Sequence, residues 1–373
     1  MCGFVAVLGP GEPLALPLLE RMRDRLAHRG PDGAGAWQGR HVQGSIALGF
    51  RRLAIIDTRH VADQPMVAHD GRKAIVFNGE IYNFVELRAE LEAAGRSFRT
   101  RSDTEVLLQA YEHWGEAVVE RLNGMFAFVI WDETRGQIFV ARDRFGEKPL
   151  FVCRLPGGRL ALASEIKALL AHPEVDASYD LGMFGSVLGG HLLFGTEETL
   201  FRSVRQFRAG HCMTLMLNGE VLRERRYWTP AYDRSLAGAD PRELSEVLRG
   251  HLERSLTMRM RSDVPVTACL SGGLDSSTLV TLLAGMRGAD EGRLRSAISV
   301  RFPDDPTIDE GRFIDMVLGH TGLEGHTVSP TAADMMRDLR QMHWHHETII
   351  PGPSMYLELS LIHISEPTRL GMI

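Results

Sequence analysis

Between residues 230 and 241 the hydrophobic pattern of this 373-residue chain changes, dividing it into two domains of different class. Upstream, short β-type runs are separated by glycine or Asn-Gly signals, with a few amphipathic helices among them, which reads as a layered α+β domain. Downstream, strand and helix alternate through VPVTACL, SSTLVTLLAGM, LRSAISVRF, DEGRFIDMVLGH, GHTVS and TAADMMRDLRQM. That alternation reads as a parallel, doubly wound α/β sheet. The intervening PAYDRSLAGADP is polar and flanked by prolines, so the linker is placed at 230–241, with domains at 1–229 and 242–360. Asp240 caps the first helix beyond it, Pro241 suits the first turn, and Glu243 supplies the reciprocal carboxylate.

Local signals refine the first domain. Phe84, Leu87 and Leu91 share one helix face that Gly95 can close, and Val106, Leu107, Ala110, Tyr111 and Trp114 line another stopped by Gly115. GMFAFVIWD and QIFVARD are predicted strands. Asn78-Gly79, between KAIVF and EIYNF, predicts a hairpin turn, since both residues readily take positive φ. Ser102 and Glu105 predict a capping box for a helix beginning near residue 103.

Composition narrows the partners. A formal net charge of −6 argues against affinity for nucleic acid or anionic lipid, which rests on clustered positive charge. The longest uncharged stretch, residues 181–196, is too short to span a bilayer, and the first residues lack a secretory pattern, so the expected location is the cytoplasm and the expected partners are small molecules. Cys2, Cys153, Cys212 and Cys269 show no C-x-x-C spacing, and three of them read as buried small hydrophobes.

Cys2 differs. Removal of the initiator methionine would leave it with a thiol of reference pKa about 8.5 and a free α-amine of about 7.7 to 8.0, so that nucleophile and base share one residue. A second chemical signal is SGGLDSS, residues 271–277, between a predicted strand and a predicted helix. Bare backbone N–H groups at such a helix start bind polyphosphate well, and neither G-x-x-x-x-G-K-[ST] nor G-x-G-x-x-G is present. HWHHE at 343–347 lacks the H-E-x-x-H spacing and reads as a helix end rather than a metal site.

In order along the chain, MCGF, HRGPDG (28–33), RRLAIID (51–57), NGEIYN (78–83) and RSDTE (101–105) resemble the class II glutamine amidotransferase domain, an αββα N-terminal nucleophile fold, over residues 1–228. The resemblance implies that Cys2 attacks the side-chain amide of glutamine while its own amine shuttles the proton. It makes the Asn78 side chain and the Gly79 N–H the oxyanion hole. It assigns the α-ammonium of glutamine to Glu80 and Asp103 and its α-carboxylate to Arg52, whose fork matches a carboxylate bidentately. Leu53, Ala54, Ile55 and Ile56 belong to the same glutamine-binding stretch, and Arg51 is left as a solvated surface charge.

SGGLDSS resembles the pyrophosphatase loop of enzymes that split ATP between its α and β phosphates. By that likeness Asp275 binds Mg²⁺, Ser271, Ser276 and Ser277 with Gly272 and Gly273 hold pyrophosphate, and Leu270 and Val300 frame the adenine. The two halves together, with ARDRFGEKPLF (141–151) and SEIKALL (164–170), resemble the glutamine-hydrolysing asparagine synthetases. That family implies ATP and Mg²⁺, activation of aspartate as β-aspartyl-AMP, displacement of AMP by ammonia, and often a homodimer. The family's later motif Ser-Gly-(Glu/Gln)-Gly-x-Asp-Glu has no counterpart here, and SLIHISEPTRLGMI resembles translated sequencing-adapter text. The expectation is therefore an incomplete second domain, an artefactual tail at 361–373, and a chain that hydrolyses glutamine without completing asparagine synthesis. Alternatives are amidation of another carboxylate, as in β-lactam synthetase relatives, or a non-catalytic fragment.

Overall fold

The strand that opens the chain is apolar on both faces: Phe4, Ala6 and Leu8 alternate with Val5 and Val7, and all are buried, so it must lie inside a layered structure. The computed structural model describes residues 1–190, 195–286, 294–350, 352, 354–357 and 371–372. It divides into two compact units, Met1–Pro230 with Glu347–Ile349, and Ala231–His346 with Ile350–Ile373.

The strands of the first unit are β1 (Gly3–Gly9), β2 (Gly33–His41), β3 (Gly44–Arg52), β4 (Met66–Val67), β5 (Lys73–Ile81), β6 (Gly124–Asp132), β7 (Gln137–Arg142), β8 (Phe151–Arg154), β9 (Leu160–Ala163), β10 (Val204–Gln206), β11 (His211–Met216) and β12 (Val221–Arg226). Its helices are α1 (Leu16–Asp24), α2 (Phe84–Ala93), α3 (Asp103–Trp114), α4 (Val118–Arg121), α5 (Ile166–Leu170) and α6 (Leu181–Leu188). Two six-stranded sheets result, in the orders β10-β8-β9-β1-β3-β2 and β12-β11-β7-β6-β5-β4, with antiparallel pairing throughout.

The alternation along each strand assigns its faces. Phe4, Leu8, Leu48 and Phe50 of one sheet meet Val76, Val129 and Val140 of the other in a dry inter-sheet core. On the outer faces, Val5, Val7 and Ala47 pack with Leu19 and Met22 of α1, and Ile75 and Phe77 pack with Leu87, Leu91 and Leu107 of α2 and α3. The four layers are those of an N-terminal nucleophile fold. Edge strand β12 reads VLRERR and is mostly exposed, its charges discouraging further strand pairing.

The helix stops fall where glycine predicts them, with Gly95 at φ 84° and Gly115 at φ 62°. The Asn78-Gly79 hairpin does not form. Both residues lie inside β5, opposite Ala127 and Phe126 of β6, and the glycine is required by close approach: a Cβ there would stand 2.2 Å from the Met125 carbonyl oxygen.

In the second unit, α7 (Pro241–Arg259) begins at Asp240, whose carboxylate accepts from the Arg242 N–H at 2.7 Å. There follow β13 (Val266–Cys269), α8 (Leu274–Gly285), β14 (Leu294–Val300), α9 (Gly311–Thr321), β15 (Glu324–Val328) and α10 (Ala332–His346). Strands pair in parallel in the order β15-β14-β13-β16, the α/β pattern expected, over a core of Ala268, Leu270, Val280, Ala297 and Ile314. The last strand, β16 (Gly371–Met372), is all of the 361–373 tail that lies among the described residues.

Phe50 and Phe77 are fully buried in different layers, so Phe50→Ala and Phe77→Ala are each expected to cost the first unit ~3–5 kcal/mol. Leu222→Ala on the edge strand should stay within about 0.5 kcal/mol of wild type. Urea unfolding followed by circular dichroism tests the contrast, and equal losses at all three sites would contradict the layer assignment.

Candidate active site

Because β1 runs between β3 and β9, the residue before it is fixed by two neighbours at once. Gly3 pairs with Arg51, which brings Cys2 beside the end of β3. There the Leu53 N–H donates to the Cys2 Sγ at 3.3 Å, and the thiol reaches the Leu53 carbonyl at 3.5 Å. Arg29 of the HRGPDG segment donates through Nε to the Cys2 carbonyl at 2.7 Å and is itself anchored by Glu165 at 2.8 Å. Burial pushes the thiol pKa up, while the chain's α-amine, the Leu53 N–H, Lys148 and Arg52 pull it back toward the reactive thiolate.

Cys2 lines a cavity with Arg52, Leu53, Ile55, Ile56, Asn78, Gly79, Glu80, Asp103 and Lys148. Thus four of the five sequence segments flagged for this site converge on one space. The fifth, HRGPDG, stands behind it. Ala54 does not line the cavity: its N–H donates instead to the Asp32 carboxylate at 3.0 Å.

Asn78 is 1% exposed, and among the described residues neither its Oδ1 nor its Nδ2 has a hydrogen-bond partner. A buried amide left unpaired costs about 1–3 kcal/mol, so a wall bearing one is built for something that pairs with it. Asp103 opens α3 and accepts from the Ile81 N–H at 3.0 Å. Burial, reinforced by the charge of Glu80, pushes its pKa up to about 7 against the pull of that N–H. A cationic guest would reverse this by stabilising both carboxylates.

Arg52 is buried on the cavity wall, but its fork is occupied. It donates to Asp63 at 2.7 Å, to the Arg59 carbonyl at 2.9 Å, and to the carbonyls of Ile56 and Asp57. Arg51 departs from its expected role: it is half-buried and pairs with Asp24 at 2.9 Å, because packing on α1 removes it from solvent. The capping box is half formed. Ser102 accepts from the Thr104 N–H, but Glu105 passes over Ser102 to the N–H groups of Arg99 and Thr100.

Three groups escaped the sequence reading. Gln64 uses its side-chain amide as a strand substitute, exchanging hydrogen bonds with both backbone groups of Phe77. Asp63 and Lys148 arrive from loops distant in sequence. For Lys148 a signal existed, the EKPLF segment within the family-like run 141–151.

In the second unit the SGGLDSS segment joins β13 to α8 as predicted by its glycines, with Gly272 at φ 84°. Ser271 and Ser276 Oγ atoms stand 3.0 Å apart, and the Gly273 N–H donates to Ser271 Oγ. Asp275 is exposed at the first turn of α8, with Ser277 beside it, and Val300 ends β14. Leu270 is a core residue, 1% exposed. HWHHE closes α10, and the described residues contain no cluster of three or more His, Cys, Asp or Glu suited to a metal.

The glutamine amidotransferase domain family matches residues 1–228, a span that contains every residue of the cavity. The first unit is therefore a glutamine amidotransferase domain. The asparagine synthase family matches residues 247–365. Asparagine synthetase [glutamine-hydrolyzing] 3 of Bacillus subtilis is 38% identical over 273 residues, covering 72% of this chain and 42% of that protein. A putative asparagine synthetase [glutamine-hydrolyzing] of Mycobacterium tuberculosis is 37% identical over 300 residues, covering 76% and 45%. Among solved structures, the glutamine phosphoribosylpyrophosphate amidotransferase of B. subtilis with ADP and GMP is similar at 19% identity and TM-score 0.46, covering 87% of this chain and 81% of that one. The chain belongs to the glutamine-hydrolysing asparagine synthetase family and spans less than half the length of these two relatives. No described helix is long and apolar enough to cross a membrane.

The raised pKa of Asp103 has a sign that can be measured. Folding lifts it from about 3.9 to about 7, so the folded state holds the extra proton between those values. Its stabilising contribution is complete below pH 4 and is lost as pH rises through 7. Without glutamine, wild type should lose more thermal stability between pH 5.5 and 8 than Asp103→Asn, with a difference of up to ~2 kcal/mol. Parallel Tm profiles would show that Asp103 is not a buried acid.

Proposed function

We propose that the first unit hydrolyses glutamine to glutamate and ammonia, with Cys2 as nucleophile. The observation that carries this reading is the unpaired Asn78 amide on the wall of the cavity that Cys2 lines. An amide carbonyl attacked by sulfur develops negative charge on oxygen, and a preorganised N–H donor with nothing else to satisfy it stabilises that charge most. Asn78 Nδ2 and the Gly79 N–H are assigned this role. The nearby Glu80 and Asp103 carboxylates suit an α-ammonium, and the positive charge of Arg52 suits an α-carboxylate once its fork turns from Asp63.

Loss of Met1 would free the Cys2 α-amine, which takes the thiol proton and delivers it to the departing ammonia as a γ-glutamyl thioester forms on sulfur. Water then attacks that thioester, with the same amine taking its proton and returning it to the thiolate as glutamate leaves. In the present chain Met1 lines the same cavity, consistent with its departure opening the site.

For the second unit we propose that SGGLDSS holds ATP, and that ammonia from the first site amidates a carboxylate activated as an acyl-adenylate; the relatives are named for making asparagine, which points to aspartate as that carboxylate. The loop fits its ligands on chemical grounds. It offers a helix start of twelve residues, two serine hydroxyls already aligned, and an exposed carboxylate at Asp275. Mg²⁺ is commonly held by one or two carboxylates together with substrate phosphates, and Asp275 is the residue that would hold it here. The ion supplies charge neutralisation on the pyrophosphate when bound. Ser271, Ser276 and Ser277 orient the phosphates, with Val300 assigned to the adenine end; the Leu270 side chain is taken up by the core and is not available for the base.

Ammonia release from glutamine, measured by a coupled glutamate assay, tests the first half directly. Cys2→Ala should abolish it, and a glutamine-mimicking electrophile should label Cys2 in a peptide lacking Met1, as read by mass spectrometry. Asn78→Ala is expected to lower kcat about 10²–10³-fold with smaller change in KM. Since protonated Asp103 cannot attract an ammonium, the KM for glutamine should rise as pH falls below 7. Full activity in Cys2→Ala would overturn the reading.

A further inference from the structure

The glutamine cavity contains one charged group that the assignments above leave idle. Lys148 lines it beside Cys2 and Glu80, and the residue is only 7% exposed. A lysine is rarely buried so deeply without a partner, yet its ammonium makes no hydrogen bond or ion pair among the described residues.

The placement is built rather than accidental. The turn after β7 is wound around Asp143, whose carboxylate accepts from the N–H groups of Phe145, Glu147 and Lys148 at 2.9–3.0 Å. Arg142 clamps the same turn from the other side, donating to the Lys148 carbonyl at 2.7 Å, the Gly146 carbonyl at 2.7 Å and the Phe207 carbonyl at 2.6 Å. With its backbone held on both N–H and C=O, the Lys148 stem has little freedom except along the cavity wall.

Charge bookkeeping in the cavity then shows what it is for. Arg52 is neutralised by Asp63, and Asp103 holds a proton near neutrality, so a thiolate formed at Cys2 would share the space with the Glu80 carboxylate. Two negative charges in a desolvated pocket repel strongly unless a cation stands with them.

We propose that Lys148 is a positioning residue of the glutaminase site whose ammonium stabilises the Cys2 thiolate. The inference rests on the proposed role of Cys2, and it names the group that keeps this nucleophile ionised. Lys148 keeps its own proton throughout; the thiol proton goes to the Cys2 α-amine that loss of Met1 would free. The charged groups that face it are Glu80 from β5, Arg29 from the segment after α1, and Glu147 beside it in the same turn. Burial draws the ammonium pKa down, while Glu80 and Cys2 hold it up, and Cys2 in turn has Lys148 among the charges that favour its thiolate.

The test measures thiolate formation without glutamine. The pH profile of Cys2 alkylation by iodoacetamide is followed by peptide mass spectrometry on the purified full chain, in wild type, Lys148→Met, Lys148→Gln and Lys148→Arg. The expected result is an upward shift of the midpoint by about one pH unit in Lys148→Met and Lys148→Gln, hence roughly tenfold slower labelling at pH 7. Lys148→Arg, which keeps the charge, should retain most of the wild-type profile, and kcat for glutamine should fall more than KM changes in the neutral variants. A neutral variant with wild-type Tm and an unshifted profile would overturn the proposal, as would a Lys148→Arg profile displaced as far as that of Lys148→Met. Failure of the glutaminase reading looks different: wild type would release no ammonia even where its alkylation profile depends on Lys148.

Discussion

The structure depends on where its first strand lies. Were β1 at an edge, residues ahead of it would fray, as chain termini do unless tied down. Instead β1 pairs over its full length with β3 and over Val5–Leu8 with β9, and its alternate side chains seal two cores. Cys2 inherits that rigidity. Its carbonyl is held by Arg29 and its sulfur by Leu53, so a group one residue from the chain start is placed by interactions spanning 27 and 51 positions of sequence. The hydrophobic alternation of β1 is therefore a condition for the chemistry as well as for the fold.

A second constraint is the cost of the cavity itself. Among the described residues the buried Asn78 amide has no hydrogen-bond partner, desolvation raises the Asp103 pKa to about 7, and Lys148 brings a buried charge to the cavity. Each is destabilising on its own, by an amount typical of active sites rather than of surfaces. The surrounding layers offset them. Large side chains such as Phe50, Phe77 and Phe128 are fully buried on either side of the inner strands, and the site occupies the end of that packing. A guest bearing a carbonyl oxygen and an ammonium satisfies the amide and the acids together, so binding recovers what folding leaves unpaired.

Much of this was legible in the sequence, and the failures follow one rule. Periodicity located the β6 and β7 strands, the α2 and α3 helices and the parallel second unit, because these rest on neighbours two to four residues apart. Asn78-Gly79 was misread as a turn since the local signal is identical: a glycine demanded by backbone approach from Met125 looks like one demanded by positive φ. Glu105 was misassigned by two residues for a similar reason, because the segment before α3 offered closer N–H groups at Arg99 and Thr100 than at Ser102. Asp63, Gln64 and Lys148 were not singled out, for their partners belong to strands that only the folded register brings together.

The same rule explains why motifs in this chain carry more information than single residues. Arg51 and Arg52 are adjacent and chemically identical, yet one packs over α1 against Asp24 and the other lines the cavity. What separates them is strand parity: on β3 successive side chains face opposite sides, so a one-residue shift exchanges the helix-covered face for the cavity. Ala54, beyond the end of β3, sits between two cavity-lining residues, and its N–H bonds to Asp32. A run such as RRLAIID thus combines structural positions, Arg51 and Ala54, with cavity-lining ones, Arg52, Leu53, Ile55 and Ile56, and its register is fixed by the pairing of β3 with β1. Shifting that register by one residue would leave the composition of the motif intact while turning Arg52 out of the site and the Leu53 N–H away from the Cys2 sulfur.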